Sequence, residues 1–238
     1  MALSERPLSV PVEGGVVLEA RVREAGRKPR GIAVVAPPHP LYGGTMSNPV
    51  VVAAARALAE LELRVLRFNW RGTGRSGGTA SGDLEQAAAD YSAVVEALIE
   101  TIGGDQQAAG ALVLAGYSFG ALAAARVAGS RESARCLLVA PPVGLVGPEP
   151  FRALAPRAAV VVGEADQFAP IGECRRAFEA AGGERLRILA GADHFFSSVG
   201  AERLQAELAA AAGLLLEGTR PGSAAQDRGR PQSGKPSE

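Results

Sequence analysis

One feature constrains this chain more than any other. Short runs of largely apolar residues alternate with longer segments that are apolar at every third or fourth position. The runs at 31–36 (GIAVVA), 65–68, 111–115, 136–140, 158–162 and 186–189 read as strands, most of them apolar on both faces with Arg67 and Arg187 the exceptions, and such strands need cover on both sides. The periodic segments supply it. In 48–62, Val51, Ala54, Ala55, Leu58 and Leu61 fall on one helical stripe; in 83–102, Leu84, Ala88, Tyr91, Val95 and Leu98 do the same. Further helices are expected over 119–129, 172–181 and 201–217. Strands alternating with helices give an α/β architecture with a mostly parallel central sheet. Residues 10–23 differ: Val12, Val16, Val17, Leu18 and Val22 flank Gly14-Gly15, the pattern of a hairpin. The sheet therefore has an antiparallel N-terminal edge hairpin, with helices on both faces. After residue 217 the periodicity stops and Gly, Ser, Pro and charged residues take over. The expected organisation is one domain over 1–217 and a disordered C-terminal tail over 218–238. No internal repeat is apparent.

Charge excludes several function classes. Lys+Arg and Asp+Glu both number 25, so no net field draws the protein to nucleic acid or anionic lipid. Cys136 and Cys174 lack CxxC or metal-ligand spacing and read as free, buried thiols in a reducing cytosol. Glu5 and Arg6 interrupt the N-terminus, so no signal peptide is expected. No apolar run approaches the ~20 residues of a membrane span. The expected location is cytoplasmic.

Chemistry concentrates at Gly116-Tyr117-Ser118-Phe119-Gly120, between the strand at 111–115 and an Ala-rich helix. A G-x-S-x-G at a strand-to-helix turn holds serine on a sharp bend, its hydroxyl lifted above the sheet. A serine needs a base at neutral pH, and the chain has only His39 and His194. The order nucleophile, acid, base selects His194, which follows the last strand. The acid should close the strand before it, and Asp166 stands there, ahead of Glu164 and of Asp193. Asp193 is too near His194 in sequence to reach around its ring. The Phe119 N–H should bind the oxyanion. A second donor is expected from the loop His39-Pro40-Leu41-Tyr42-Gly43-Gly44, Leu41 first and Tyr42 second, with His39 fixing the loop by hydrogen bonding. Tyr42, Phe168 and Phe195 are expected to touch substrate. Trp70, Phe119 and Phe196 stay open between pocket and core. The stretch Arg71-Gly72-x-Gly74-x-Ser76 lacks the Lys-Ser/Thr of a phosphate-binding loop and reads as structural.

Together HPLYGGTMSN, FNWRGTGRSGG, GYSFG, GEADQFAP and GADHFF resemble the small lidless bacterial α/β-hydrolases, near the dienelactone-hydrolase and serine-esterase branch. The resemblance spans about residues 10–217. It implies the α/β-hydrolase fold, a Ser118–Asp166–His194 triad, and an oxyanion hole at Phe119 and, less directly, Leu41. Dienelactone hydrolases use a cysteine nucleophile, and this elbow holds serine, which disfavours that reaction. Many relatives insert a cap after the sixth strand. Here residues 141–157 leave room for a loop or one short helix, hence no sizeable cap domain. The implied activity is hydrolysis of small soluble esters, a short-acyl carboxylesterase acting through an acyl-enzyme. Thioesterase, amidase or peptidase action with the same triad, or a non-catalytic hydrolase-fold binding protein, are the alternatives. The expected partner is a small-molecule ester, with no nucleic acid and no membrane; a homodimer is the tendency the resemblance implies. No metal or organic cofactor is implied.

Overall fold

The computed structural model describes residues 5–25, 29–102, 110–178 and 185–217. The expected tail at 218–238 and the end of the helix expected over 172–181 lie outside them.

Eight strands form one sheet: β1 (Glu5–Val12), β2 (Val16–Arg23), β3 (Gly31–Ala36), β4 (Leu63–Phe68), β5 (Ala111–Tyr117), β6 (Arg135–Val139), β7 (Ala158–Gly163) and β8 (Leu186–Leu189). Their order across the sheet is β1-β2-β4-β3-β5-β6-β7-β8. Strands β4 and β3 through β8 run parallel, while β2 is antiparallel to both β1 and β4. Every residue of β3 and β7 is buried, which is why their sequences show no alternation. The first strand begins at Glu5, five residues before the Val10 start expected from the apolar pattern. Pro7 and Pro11 mask it in the sequence, yet proline is tolerated where a strand has a free edge.

Helices α1 (Pro49–Glu60) and α7 (Ala201–Leu216) cover one face; α2 (Leu84–Glu100) and α3 (Phe119–Ala128) cover the other. Side chains cap the starts of α1 and α2. Asn48 Oδ1 accepts the Val50 N–H at 2.9 Å, and Asp83 Oδ1 accepts the Gln86 N–H at 2.9 Å, each satisfying a donor the helix itself leaves unpaired. Tyr91 of α2 is fully buried, and its hydroxyl lies 2.7 Å from Val34 O and 2.8 Å from Ala115 O. One phenol thus ties α2 to β3 and β5, the two strands whose ends carry the serine and the facing loop.

Between β6 and β7 stand two single-turn helices, α4 (Val143–Val146) and α5 (Glu149–Arg152), and a 3₁₀ turn at Ala155–Arg157. That is one helix more than the length suggested, and still no cap domain. The last long helix of that face, α6 (Ile171–Phe178), packs beside them.

Candidate active site

Strand β5 ends at Tyr117, and Ser118 turns the chain with φ 54° and ψ −117° into α3. A positive φ at a residue with a Cβ is strained and persists only where its surroundings enforce it. Here they do. A Cβ on Gly116 would lie 2.1 Å from Gly120 O, and one on Gly120 would lie 2.4 Å from Ala36 O. Strand, turn and helix can approach this closely only because both positions are glycine. Ser118 itself is half-buried and sits at the N-cap of α3, with the helix dipole's positive end beneath it.

His194 arrives from the loop after β8. Its Nε2 lies 3.0 Å from Ser118 Oγ, and its Nδ1 lies 2.9 and 2.8 Å from the two oxygens of Asp166. A carboxylate accepts only, so Nδ1 carries the proton and Nε2 is free to accept from the serine hydroxyl. Asp166 is itself held: its Oδ1 accepts the N–H groups of Phe168 and Ala169, both at 2.8 Å. His194 and Asp166 are 5% and 4% exposed, so water competes little for either bond.

The two competing acids are occupied elsewhere. Glu164 accepts the Gly191 N–H at 2.8 Å and staples the β7 and β8 loops together. Asp193 accepts the Ser197 N–H at 2.8 Å, and that bond holds its carboxyl below the ordinary range.

The loop after β3 faces Ser118 from the other side of the elbow. Trp70, which the sequence leaves open between pocket and core, is core. It is 3% exposed, and its indole Nε1 donates toward Pro37 O and Pro38 O at 3.0 and 3.1 Å, anchoring the loop. The His39 ring packs 4.8 Å from those of both Phe119 and Tyr42. Burial lowers its pKa, and its Nδ1 accepts the Leu41 N–H at 3.2 Å. His39 therefore does organise the loop. The same bond uses the N–H expected to bind the oxyanion, and the Tyr42 N–H goes to His39 O at 3.1 Å. In this structure neither points freely at an incoming oxygen. The Phe119 N–H opens α3 and has no intrahelical partner by position.

Of the residues expected at substrate, Phe168 and Phe195 stand edge-on to the His194 ring at 4.8 and 5.4 Å. Tyr42 is 87% exposed and contacts His39 rather than His194. Phe196 is buried against Tyr117 in the α1–α7 layer. The Arg71 loop is structural: its guanidinium grips buried Asp90 of α2, with Nε 2.8 Å from Oδ2 and Nη2 2.8 Å from Oδ1. Sequence reading missed Tyr117, whose hydroxyl donates to the backbone carbonyl of His194 at 3.0 Å. No local pattern signals a contact across 77 positions. The roof helix α4 is joined to the acid loop by the Gly144 N–H, which donates to Phe168 O at 2.9 Å. Among the described residues no group of His, Cys, Asp and Glu could hold a metal ion, and no helix is long and apolar enough to cross a membrane.

Comparison with known proteins bears on the family and the fold. Residues 43–231 match the model of the alpha/beta hydrolase family. An uncharacterized protein of Rickettsia prowazekii (strain Madrid E) is 31% identical over 189 residues, 75% of this chain and 77% of that protein. Among solved structures, an alpha-beta serine hydrolase homologue from Coxiella burnetii superposes with a TM-score of 0.74 at 28% identity. It covers 88% of this chain and 98% of its own. A lidless a/b serine hydrolase from Xanthomonas campestris gives a TM-score of 0.73 at 27% identity, covering 92% and 99%.

Proposed function

Because this chain belongs to the alpha/beta hydrolase family, we propose that it is a serine hydrolase cleaving small soluble esters with short acyl groups. The observation carrying this reading is the relay Ser118 Oγ–His194 Nε2 at 3.0 Å with His194 Nδ1–Asp166 Oδ2 at 2.8 Å. In the first half-reaction Ser118 Oγ attacks the ester carbonyl while His194 Nε2 takes its proton. The tetrahedral intermediate collapses, the alkoxide leaves with that proton as alcohol, and the acyl group stays on Ser118. Water then gives a proton to His194 and attacks the acyl carbon, releasing the acid and restoring the serine hydroxyl. Asp166 holds the ring in its working tautomer throughout.

The Phe119 N–H meets the developing oxyanion at the positive end of α3. Leu41 serves as second donor only if its 3.2 Å bond to His39 Nδ1 is shared or surrendered when substrate binds. The reading of short acyl groups is supported by the short span between β6 and β7, which leaves little to enclose a long chain. Leu41, Tyr42, Leu145, Val146 and Phe195 are exposed on the connections that follow β3, β6 and β8, Leu145 and Val146 on α4, apolar side chains suited to an uncharged ester.

The test is turnover of p-nitrophenyl esters of increasing acyl length, with thioester and amide analogues, alongside labelling by a fluorophosphonate. Short esters should turn over fastest, and Ser118→Ala should lose both turnover and label while keeping its melting temperature within a few degrees. A wild-type protein that takes neither ester nor label sinks this reading.

A further inference from the structure

The geometry points to Tyr117 as a positioning residue for His194, an inference that rests on the Ser118–His194 relay proposed above. The difficulty it answers is one of distance. Ser118 stands above β5 and His194 follows β8, with β6 and β7 between them. At about 4.8 Å per strand, the base must reach back roughly 14 Å across the sheet. The loop that carries it comes low over β7. A Cβ on Gly163 would lie 2.3 Å from Ala192 O, so that strand end has no room for a side chain beneath the loop.

Most fastenings of this loop are to its own side of the sheet. Glu164 N–H donates to Leu189 O at 2.9 Å, Ala165 N–H to Ala192 O at 2.8 Å, and Phe196 N–H to Asp193 O at 3.1 Å. None of these fixes the loop with respect to Ser118. The Tyr117 hydroxyl does. It belongs to the residue immediately before the nucleophile and donates to His194 O at 3.0 Å. Among the described residues no backbone N–H donates to that carbonyl. The phenol is 3% exposed, its ring lies 5.6 Å from the imidazole with 32° between planes, and Phe196 backs it at 6.4 Å. Burial, with the Asp166 and Asp193 charges, drives its pKa upward, so it stays a neutral donor. A stiff side chain rooted one residue from Ser118 thus sets where the base's backbone lies. Tyr117 touches no reacting atom; it acts through His194.

Tyr117→Phe keeps the ring and removes the bond. The expected result is kcat down about tenfold with KM within twofold, the kinetic equivalent of one lost neutral hydrogen bond. Fluorophosphonate labelling of Ser118 should slow by the same factor. The low-field proton resonance of the His194 Nδ1–Asp166 bond should broaden or shift upfield. Leu208→Ala, a cavity in the same core layer on α7, serves as a control destabilised at least as much and should leave all three readouts in place. If Tyr117→Phe keeps full kcat, labelling rate and resonance, or if Leu208→Ala matches its losses, the positioning role is wrong. The proton resonance needs no substrate. A wild-type protein that takes neither ester nor label would therefore overturn the hydrolase reading, while the Tyr117 bond would still be judged on that signal.

Discussion

Replacing Asp166 by asparagine changes almost nothing in size but reverses what the residue can offer His194. The side-chain oxygen that accepts from Phe168 and Ala169 can stay in place. The amide nitrogen then faces Nδ1 as a donor and favours the tautomer with its proton on Nε2, where it cannot accept from Ser118. Asp166→Asn should lower kcat by roughly 10³–10⁴ with little change in KM, measured on whichever short ester the wild type prefers. A loss below tenfold would remove Asp166 from its assigned place. Ser118, Asp166 and His194 could be read from the chain because each sits at a strand end in a fixed order, and order survives in a sequence. Leu41 shows the limit. Its position after β3 was legible, but the direction of its N–H depends on a ring nitrogen two residues earlier. An imidazole accepting from the second residue on, as asparagine does in a turn, is a local signal that could have been weighed.

The elbow is a contact between elements as much as a motif. Gly120 lies where α3 presses on the end of β3, and its missing side chain sets their separation. Gly120→Ala would place a methyl 2.4 Å from Ala36 O and 2.5 Å from Pro37 O. Both are backbone atoms that cannot swing aside. The substitution should cost about 2 kcal/mol or more in urea unfolding, and should also lower kcat, since the displaced strand carries the loop facing Ser118. Unchanged stability would mean that α3 and β3 separate more easily than their packing implies. Helices and inner strands were legible within about two or three residues because burial writes periodicity into them. The first strand was half hidden by its prolines, and α4 and α5 are single turns too short for any period to show.

Taken whole, the molecule puts both its thiols out of reach. Cys136 on β6 and Cys174 on α6 are free, fully buried, and pushed by burial up to about 12. Neither should react with a disulfide reagent at pH 8 until the protein opens. Both should then react together, at the rate of global unfolding measured independently by circular dichroism. Rapid reaction of one thiol in the native protein would reveal a local opening that the packing gives no sign of. The order of strands was the least legible property, because β4 slips between β2 and β3 and nothing in its composition says so.

Among the described residues, both margins of the sheet are poorly suited to edge-to-edge pairing. On the outer side of β1, Pro7 and Pro11 stand two places either side of Ser9 while the ladder to β2 runs unbroken, so alternate amides are missing from the exposed border. At the opposite border β8 has only four residues. Neither offers a template on which a neighbouring chain could add its own strand. Crowded or partly heated solutions of the protein should therefore resist fibril growth from these two ends, as read by thioflavin fluorescence.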